Sequence, residues 1–386
     1  MVNTESLWTR EFIAINAIAF LTYCNIAIFF QFHDYLATLN IPPNQIGFLI
    51  AIFSISALII RPIISPMVTD ENSKKWMFTG CCFLIGSLAL YNFSTGFWSM
   101  AITRTLHGAT YVMVGTAAIS KLVSIIPKDR SSQAFGLFSV ITLLPFAVVP
   151  PLMEPLSDFL GGFDGAINVS AAMMLINLPL IGLFKNHDSE TTLITSRYTI
   201  RDGLLNLRNP QVWSLLVINL IVWTSFTTIF FFLKGFGDNI GISNPGLFFT
   251  VSTFTEMAVR VLAGHLFDKA DKKLLLIASI LVLAGGYLAL GMVSGPSGFF
   301  ILAFALGLGW GIILPVINGF LYDVSEPRFR GLNANLATQM FQAGFSLGPL
   351  AGGMILSHFG YFSLFLTSGL FLLTAIPLAS LTTGKR

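Results

Sequence analysis

Glu256 and Arg260 stand four residues apart in an otherwise apolar stretch, a spacing that puts both on one face of a helix. A carboxyl in so dry a setting can hold a proton while closed off and exchange it when water reaches it. The competing reading is a static ion pair. Arg104, His107 and Tyr111 share a second such face. A guanidinium there can clamp a carboxylate or phosphate with two parallel bonds, and an imidazole titrates near neutral pH. The plainer alternative bonds Arg104 to backbone carbonyls and leaves His107 satisfied in the interior. Charges at such places are costly and are functional candidates by default. Asn16, Tyr23, Asn25, Asn219, Trp223, Trp310, Gln339 and Gln342 add polar and aromatic groups at similar depth. For each polar one the plain reading is an interhelical hydrogen bond worth about 0.6 kcal/mol; for the rings it is packing. Gly309 and Gly311 flank Trp310 and are expected to make room for a ligand against its ring. Asp34, Glu154, Asp158 and Asp164 read as mouth or loop residues.

The elements that hold these residues follow from composition. Of 386 residues 54% are hydrophobic and 10% charged, with 37 Phe and a mean hydropathy of +0.78. That charge is too sparse to coat a soluble protein of this size, which carries roughly 25% charged residues. A membrane-crossing helix needs about 20 apolar residues. Twelve such runs lie near 12–35, 44–67, 75–94, 97–121, 131–153, 163–184, 210–234, 245–267, 274–293, 297–321, 332–356 and 360–381. They are continuous rather than alternating, which excludes a β-barrel. The first is too long and too polar for a cleaved signal peptide. With both termini in the cytoplasm, 17 of the 21 Lys and Arg fall in cytoplasmic segments, a bias that sets the topology. The expected fold is an all-α membrane protein of two six-helix bundles, 1–184 and 210–386, joined by a cytoplasmic linker, 185–209. A short amphipathic helix around Ser196–Leu207 is one option for that linker and a plain solvated tether the other.

Other chemistries find no support. The net charge of +3 is small and dispersed, so no nucleic-acid partner is expected. Cys24, Cys81 and Cys82 make neither a disulfide framework nor a zinc spacing, and Met and His are not paired for a soft metal, so no metal is expected. No phosphate-binding loop, no Ser/His/Asp set and no His-Glu-x-x-His occurs, so neither a cofactor nor an enzymatic activity is expected.

The halves repeat. Arg61, Asp70 and Lys74-Lys75 in the first correspond to Arg260, Asp268 and Lys272-Lys273 in the second, and Pro127…Arg130 to Pro327…Arg330, at offsets of 198 to 200 residues. Six spans per half make the repeats parallel, a layout that places a solute site near the midplane. Gly264-x-x-x-Asp268-Lys269-x-x-Lys272-Lys273 and Arg104-x-x-x-Gly108 resemble motifs of the major facilitator superfamily of secondary transporters. In the first half Pro66 and Glu71 depart from the loop motif. Helix eleven carries Gly344, Gly348, Pro349, Gly352 and Gly353, read as close helix packing with a local kink. The family's proton antiporters usually have their Gly-Pro pattern in helix five, which here has Pro145, Pro150, Pro151 and Pro155.

The resemblance implies a secondary active transporter of the cytoplasmic membrane, working by alternating access on a small organic solute. Protons are the expected coupling ion and a monomer the expected state; the direction stays open. It implies a cytoplasmic gate built from Arg61, Asp70, Arg260, Gly264, Asp268, Lys272 and Lys273, and a role for Arg104 in proton coupling or anion binding. The alternatives are a transporter-like sensor or scaffold that does not cycle and, less well supported, a membrane-embedded enzyme.

Overall fold

The computed structural model describes residues 7–39, 41–126, 130–184, 206–267 and 270–382, with backbone alone at 131, 132, 157, 158, 265 and 266. Apart from a few residues at its edge, the expected 185–209 linker lies outside the described residues, as does the helix considered at Ser196–Leu207.

In hydrocarbon every backbone N–H and C=O must be bonded within the protein, so long apolar runs become helices. The described residues form α1 (Arg10–Ala27), α2 (Phe32–Thr38), α3 (Pro43–Ile64), α4 (Asp70–Ala89), α5 (Phe97–Ile125), α6 (Ser131–Leu160) and α7 (Gly162–Gly182). They continue as α8 (Pro210–Asn239), α9 (Leu247–Phe267), α10 (Lys272–Leu290), α11 (Pro296–Val324), α12 (Arg330–Leu373) and α13 (Ala375–Ser380). No strand occurs among them. Starts are capped as the side chains dictate. Thr9 accepts from the Phe12 amide at 3.1 Å, and Asp271 from those of Lys273 and Leu274 at 2.9 and 3.3 Å.

Eleven helical stretches among the described residues are long and apolar enough to cross a membrane. The last, Pro327–Ser380, is 54 residues long, twice what a bilayer needs. Gly360, at φ 76°, breaks its helical path, so the stretch supplies the eleventh and twelfth spans. The first span is also interrupted: a 3-10 turn, Ile28–Gln31, separates α1 from α2.

The chain divides into two compact units, Met1–Ile41 with Ile52–Leu193, and Pro42–Ala51 with Ile194–Arg386. In the first, α4 packs on α5 and α7, and α1 on α6; in the second, α8 packs on α12, and α11 on α9 and α10. The repeat is visible in the closest approaches. Gly108 of α5 lies on the Phe53 carbonyl of α3, and Gly307 of α11 on the Ser252 carbonyl of α9. A shift of 199 residues carries both members of one contact onto the other. Neither position has room for a Cβ.

Candidate functional site

The first unit holds a buried polar chain. Arg104, 2% exposed, donates from Nη1 to the Tyr91 hydroxyl at 3.3 Å. That hydroxyl lies 3.0 Å from His107 Nδ1, and His107 Nε2 lies 2.9 Å from Asn25 Oδ1. Asn25 Nδ2 donates to Ser170 Oγ at 2.8 Å. With a neutral ring, the carbonyl of Asn25 requires the proton on Nε2, so Tyr91 donates to bare Nδ1 and accepts from Arg104. Every link then points the same way, from the guanidinium to Ser170. Three rings surround the cation: its central carbon is 4.7 Å from the centre of Phe29, 4.6 Å from Phe32 and 4.8 Å from Phe53. α1, α5 and α7 thus bring Asn25, Arg104, His107 and Ser170 together with Tyr91 from the turn after α4. Tyr91 and Ser170 were not foreseen; Tyr91 lies thirteen residues before Arg104, across a loop, where no helical spacing links them. Tyr111 stands apart from the chain, 5.4 Å from the Phe53 ring. Nearer the outer ends, Tyr35 donates to Asp164 at 2.7 Å and His33 lies 3.0 Å from Asp34; Glu154 is exposed and the Asp158 side chain lies outside the described atoms.

The second unit is built on rings. Trp223 of α8 packs 4.5 Å from Phe341 of α12 and 5.4 Å from Phe226, and Phe226 packs 5.1 Å from Trp310 of α11. Trp223, Phe226 and Phe341 are half-buried. Gln339 and Gln342 lie on the same helix as Phe341, and Gln339 Oε1 and Gln342 Nε2 are shut from solvent without a hydrogen-bond partner. Asn219 instead donates to the Ala337 carbonyl at 3.0 Å, a helix-to-helix bond. The expectation that Gly309 and Gly311 open space for a ligand beside Trp310 is corrected: a Cβ there would lie 2.6 Å from Leu283 and 2.8 Å from Val259. Those glycines admit neighbouring helices, and the Trp310 ring is buried. Gly344 and Gly348 likewise admit α8 at Trp223 and Thr227, Gly352 admits Phe232, and Gly353 meets Gly47. Pro349 is buried between them. Glu256, 4% exposed, forms its ion pair with Arg260.

A family model described as Major Facilitator Superfamily matches residues 13–296 and again 215–385. The chain belongs to the Major Facilitator Superfamily. It is a multi-pass membrane transporter, not an enzyme. Among curated relatives, a multi-drug resistance efflux pump PmrA homolog of Lactococcus lactis is 24% identical over 84% of this chain and 82% of its own length. The staphylopine export protein of Staphylococcus aureus is 20% identical over 97% and 94%. The quinolone resistance protein NorA of S. aureus is 22% identical over 83% of each. Among solved structures, a nucleoside transporter NupG mutant superposes with a TM-score of 0.82 at 13% identity, covering 97% of this chain and 100% of that one. That likeness concerns the fold.

Asp70, Lys74, Lys272 and Lys273 of this superfamily member's loop motifs find partners inside their own units. Asp70, first residue of α4, meets Lys121 Nζ of α5 at 3.5 Å, and Lys74 donates to the Phe184 carbonyl at 2.6 Å. Lys272, first residue of α10, meets Asp323 of α11 at 2.7 Å, and Lys273 donates to the Ser380 carbonyl at 3.1 Å. Gly264 faces open space, and Asp268 lies outside the described residues. The two ion pairs span 51 residues each, and a shift of 202 carries one onto the other with the signs exchanged. Lys121, counted by its position as a cytoplasmic charge, is only 2% exposed.

Proposed function

We propose that this chain exports aromatic, amphipathic organic solutes from the cytoplasm in exchange for protons. It does so as a monomer in the cytoplasmic membrane, with both termini inside. Its halves, 1–184 and 210–386, joined through 185–209, pass between outward and inward access.

The observation that carries the solute class is the ring surface of the second unit. Trp223, Phe226 and Phe341 offer half-buried faces, and Gln339 and Gln342 hold an unused acceptor and donor on the same helix as Phe341. Flat apolar bodies bind such rings, and a few polar groups fix their orientation. The export direction is supported by relatives named as efflux and export proteins. In this reading Glu256 carries the proton: protonation releases Arg260, and deprotonation re-forms the pair. Arg104 and His107 organise the first unit through Tyr91 and Asn25.

The test is norfloxacin efflux. In everted vesicles containing the protein, an imposed proton gradient is expected to drive uptake of this fluorescent bicyclic solute, and nigericin with potassium to stop it. Trp223→Ala is expected to lower the rate at least tenfold. Glu256→Gln, folded as judged by its elution profile, is expected to bind norfloxacin but no longer respond to the gradient. Uptake that ignores the gradient in the unaltered protein refutes coupling, and a Trp223→Ala protein that transports normally refutes the ring site.

A further inference from the structure

Both halves carry an arginine at the same place in the repeat, a shift of 199 residues carrying Arg61 onto Arg260. In the second half Glu256 lies one turn before the arginine and pairs with it. One turn before Arg61 stands Ala57, fully buried. The first half therefore has the cation without the carboxylate that accompanies its twin. Among the described residues no carboxylate pairs with Arg61, and its Nε is shut from solvent with no acceptor. On the side of the helix it shares with Ala57, Tyr111 packs in the same buried cluster as Ala57, and Tyr23 packs on Phe146 at that cluster's edge. Apolar rings close the surroundings. Phe146 lies 6.3 Å from Tyr23, and Phe53 5.4 Å from Tyr111, in the cluster that contains Ala57.

The position has one structural compensation. Arg61 lies in the last turn of α3, where unbonded carbonyls favour a cation. Lysine or arginine at any helix end gains as much. That does not account for an acceptor-less Nε, nor for a phenol packed in the cluster of Ala57. Intramembrane cations are ordinarily paired or stand on a solute path, and here the pairing residue is alanine.

We propose that Arg61, with Tyr23 and Tyr111, is a carboxylate-binding site, taking the acid group of an aromatic organic acid in the place that Glu256 fills in the second half. The guanidinium makes two parallel N–H···O bonds to the carboxylate, a phenol O–H donates to it, and the rings of Phe53 and Phe146 take the apolar body. This names the acidic part of the exported solute and rests on the transport reading only for its place in export; binding itself does not depend on it.

The test uses the purified full-length protein in detergent, with 2-naphthoate as ligand and 2-naphthamide as its neutral counterpart. Naphthoate is expected to raise the midpoint of thermal unfolding in a saturable way, because it binds the folded state alone. Naphthamide is expected to have at least tenfold weaker effect. Arg61→Gln is expected to weaken naphthoate binding at least tenfold and Arg61→Lys less, since lysine keeps the charge and loses the fork. Ala57→Glu rebuilds the pair of the second half and is expected to exclude naphthoate, while Ala57→Gln, of the same size, still binds it. Should both Ala57 variants fail to fold, the Arg61 pair carries the test. Equal protection by naphthoate and naphthamide, equal protection by inorganic phosphate, or an unchanged Arg61→Gln protein overturns the proposal. An unaltered protein that does not bind naphthoate while norfloxacin efflux is intact refutes this site alone; an unaltered protein that binds it with no gradient-driven flux refutes the transport reading and leaves the site.

Discussion

Asp70→Asn is expected to destabilise this protein far more than Asp323→Asn, although each carboxylate closes a similar ion pair in its own half. Each closes an ion pair between the start of one helix and the end of the next, 51 residues apart. Burial separates them. The Lys121 and Asp70 side chains are 3% and 15% exposed, against 16% and 46% for Lys272 and Asp323. At 3.5 Å and an effective dielectric constant of 20, the first pair attracts by about 5 kcal/mol before desolvation is charged against it. Removing one partner of a buried pair strands the other and costs about 3–5 kcal/mol. The exposed pair, screened by water, is worth about 0–1 kcal/mol.

The two ends of the buried pair are also unequal. Lys121→Met leaves Asp70 at the first turn of α4, where the helix dipole stabilises a carboxylate by about 0.3–1 kcal/mol, so it is expected to cost less than Asp70→Asn. Asp70→Asn with Lys121→Met is expected to behave like Lys121→Met alone, because no buried charge remains. The reversed pair, Asp70→Lys with Lys121→Asp, copies the sign order of the second half and is expected to recover most of the loss. The assay is heat challenge of purified protein, with the monodisperse fraction read by size exclusion for each variant. Equal losses from Asp70→Asn and Asp323→Asn, or additive losses along the Asp70–Lys121 cycle, would refute the reasoning.

Further outcomes follow from the packing. Gly108→Ala and Gly307→Ala force a methyl against a backbone carbonyl and are expected to cost about 1–3 kcal/mol each. Gly115→Ala, on the same helix as Gly108 with open space beside it, is expected to gain up to about 1 kcal/mol; thermal midpoints check all three. Gly360→Ala places a side chain at φ 76° and is expected to cost about 1–2 kcal/mol, read in the same heat challenge. Tyr91→Phe removes the link between Arg104 and His107 and is expected to cost about 1–3 kcal/mol. Transport per folded molecule is expected to fall with it, and unchanged transport would make the chain a purely structural device.

The helices and their number were legible because a bilayer permits little else: apolar runs of the right length have no alternative to helix. The junction at Gly360 was legible too, as the break between the last two runs, and the backbone leaves the helical path there. The pairing of Glu256 with Arg260 was readable from one helix alone. What failed needed two helices at once. The burial of Lys121 against Asp70, which leaves its cytoplasmic placement untouched, the role of Tyr91 and the neighbours of Gly309 depend on which face of a second helix comes opposite, and single-helix spacing holds no information on that. Gly309 and Gly311 show the error most clearly: a gap beside a tryptophan looks the same in a sequence whether a solute or a leucine fills it.

Comparison of the halves sorts these residues by the kind of constraint they answer to. Contacts of backbone on backbone repeat in register, as Gly108 on Phe53 and Gly307 on Ser252 do, because a helix crossing tolerates no displacement. The ion pairs recur between corresponding helix ends but three residues out of the 199 register and with the signs exchanged, since a staple between two helix ends works in either polarity and at more than one position. The polar chain does not repeat. The shift that carries Gly108 onto Gly307 carries Arg104 onto Ala303, His107 onto Leu306 and Tyr111 onto Trp310. Where the first half places a cation, an imidazole and a phenol, the second places methyl, isobutyl and indole. Packing alone would tolerate the apolar set in both halves, as the second half demonstrates. The desolvation borne by Arg104 in the first half is therefore not a requirement of the fold, which makes Arg104 a candidate for function rather than for packing.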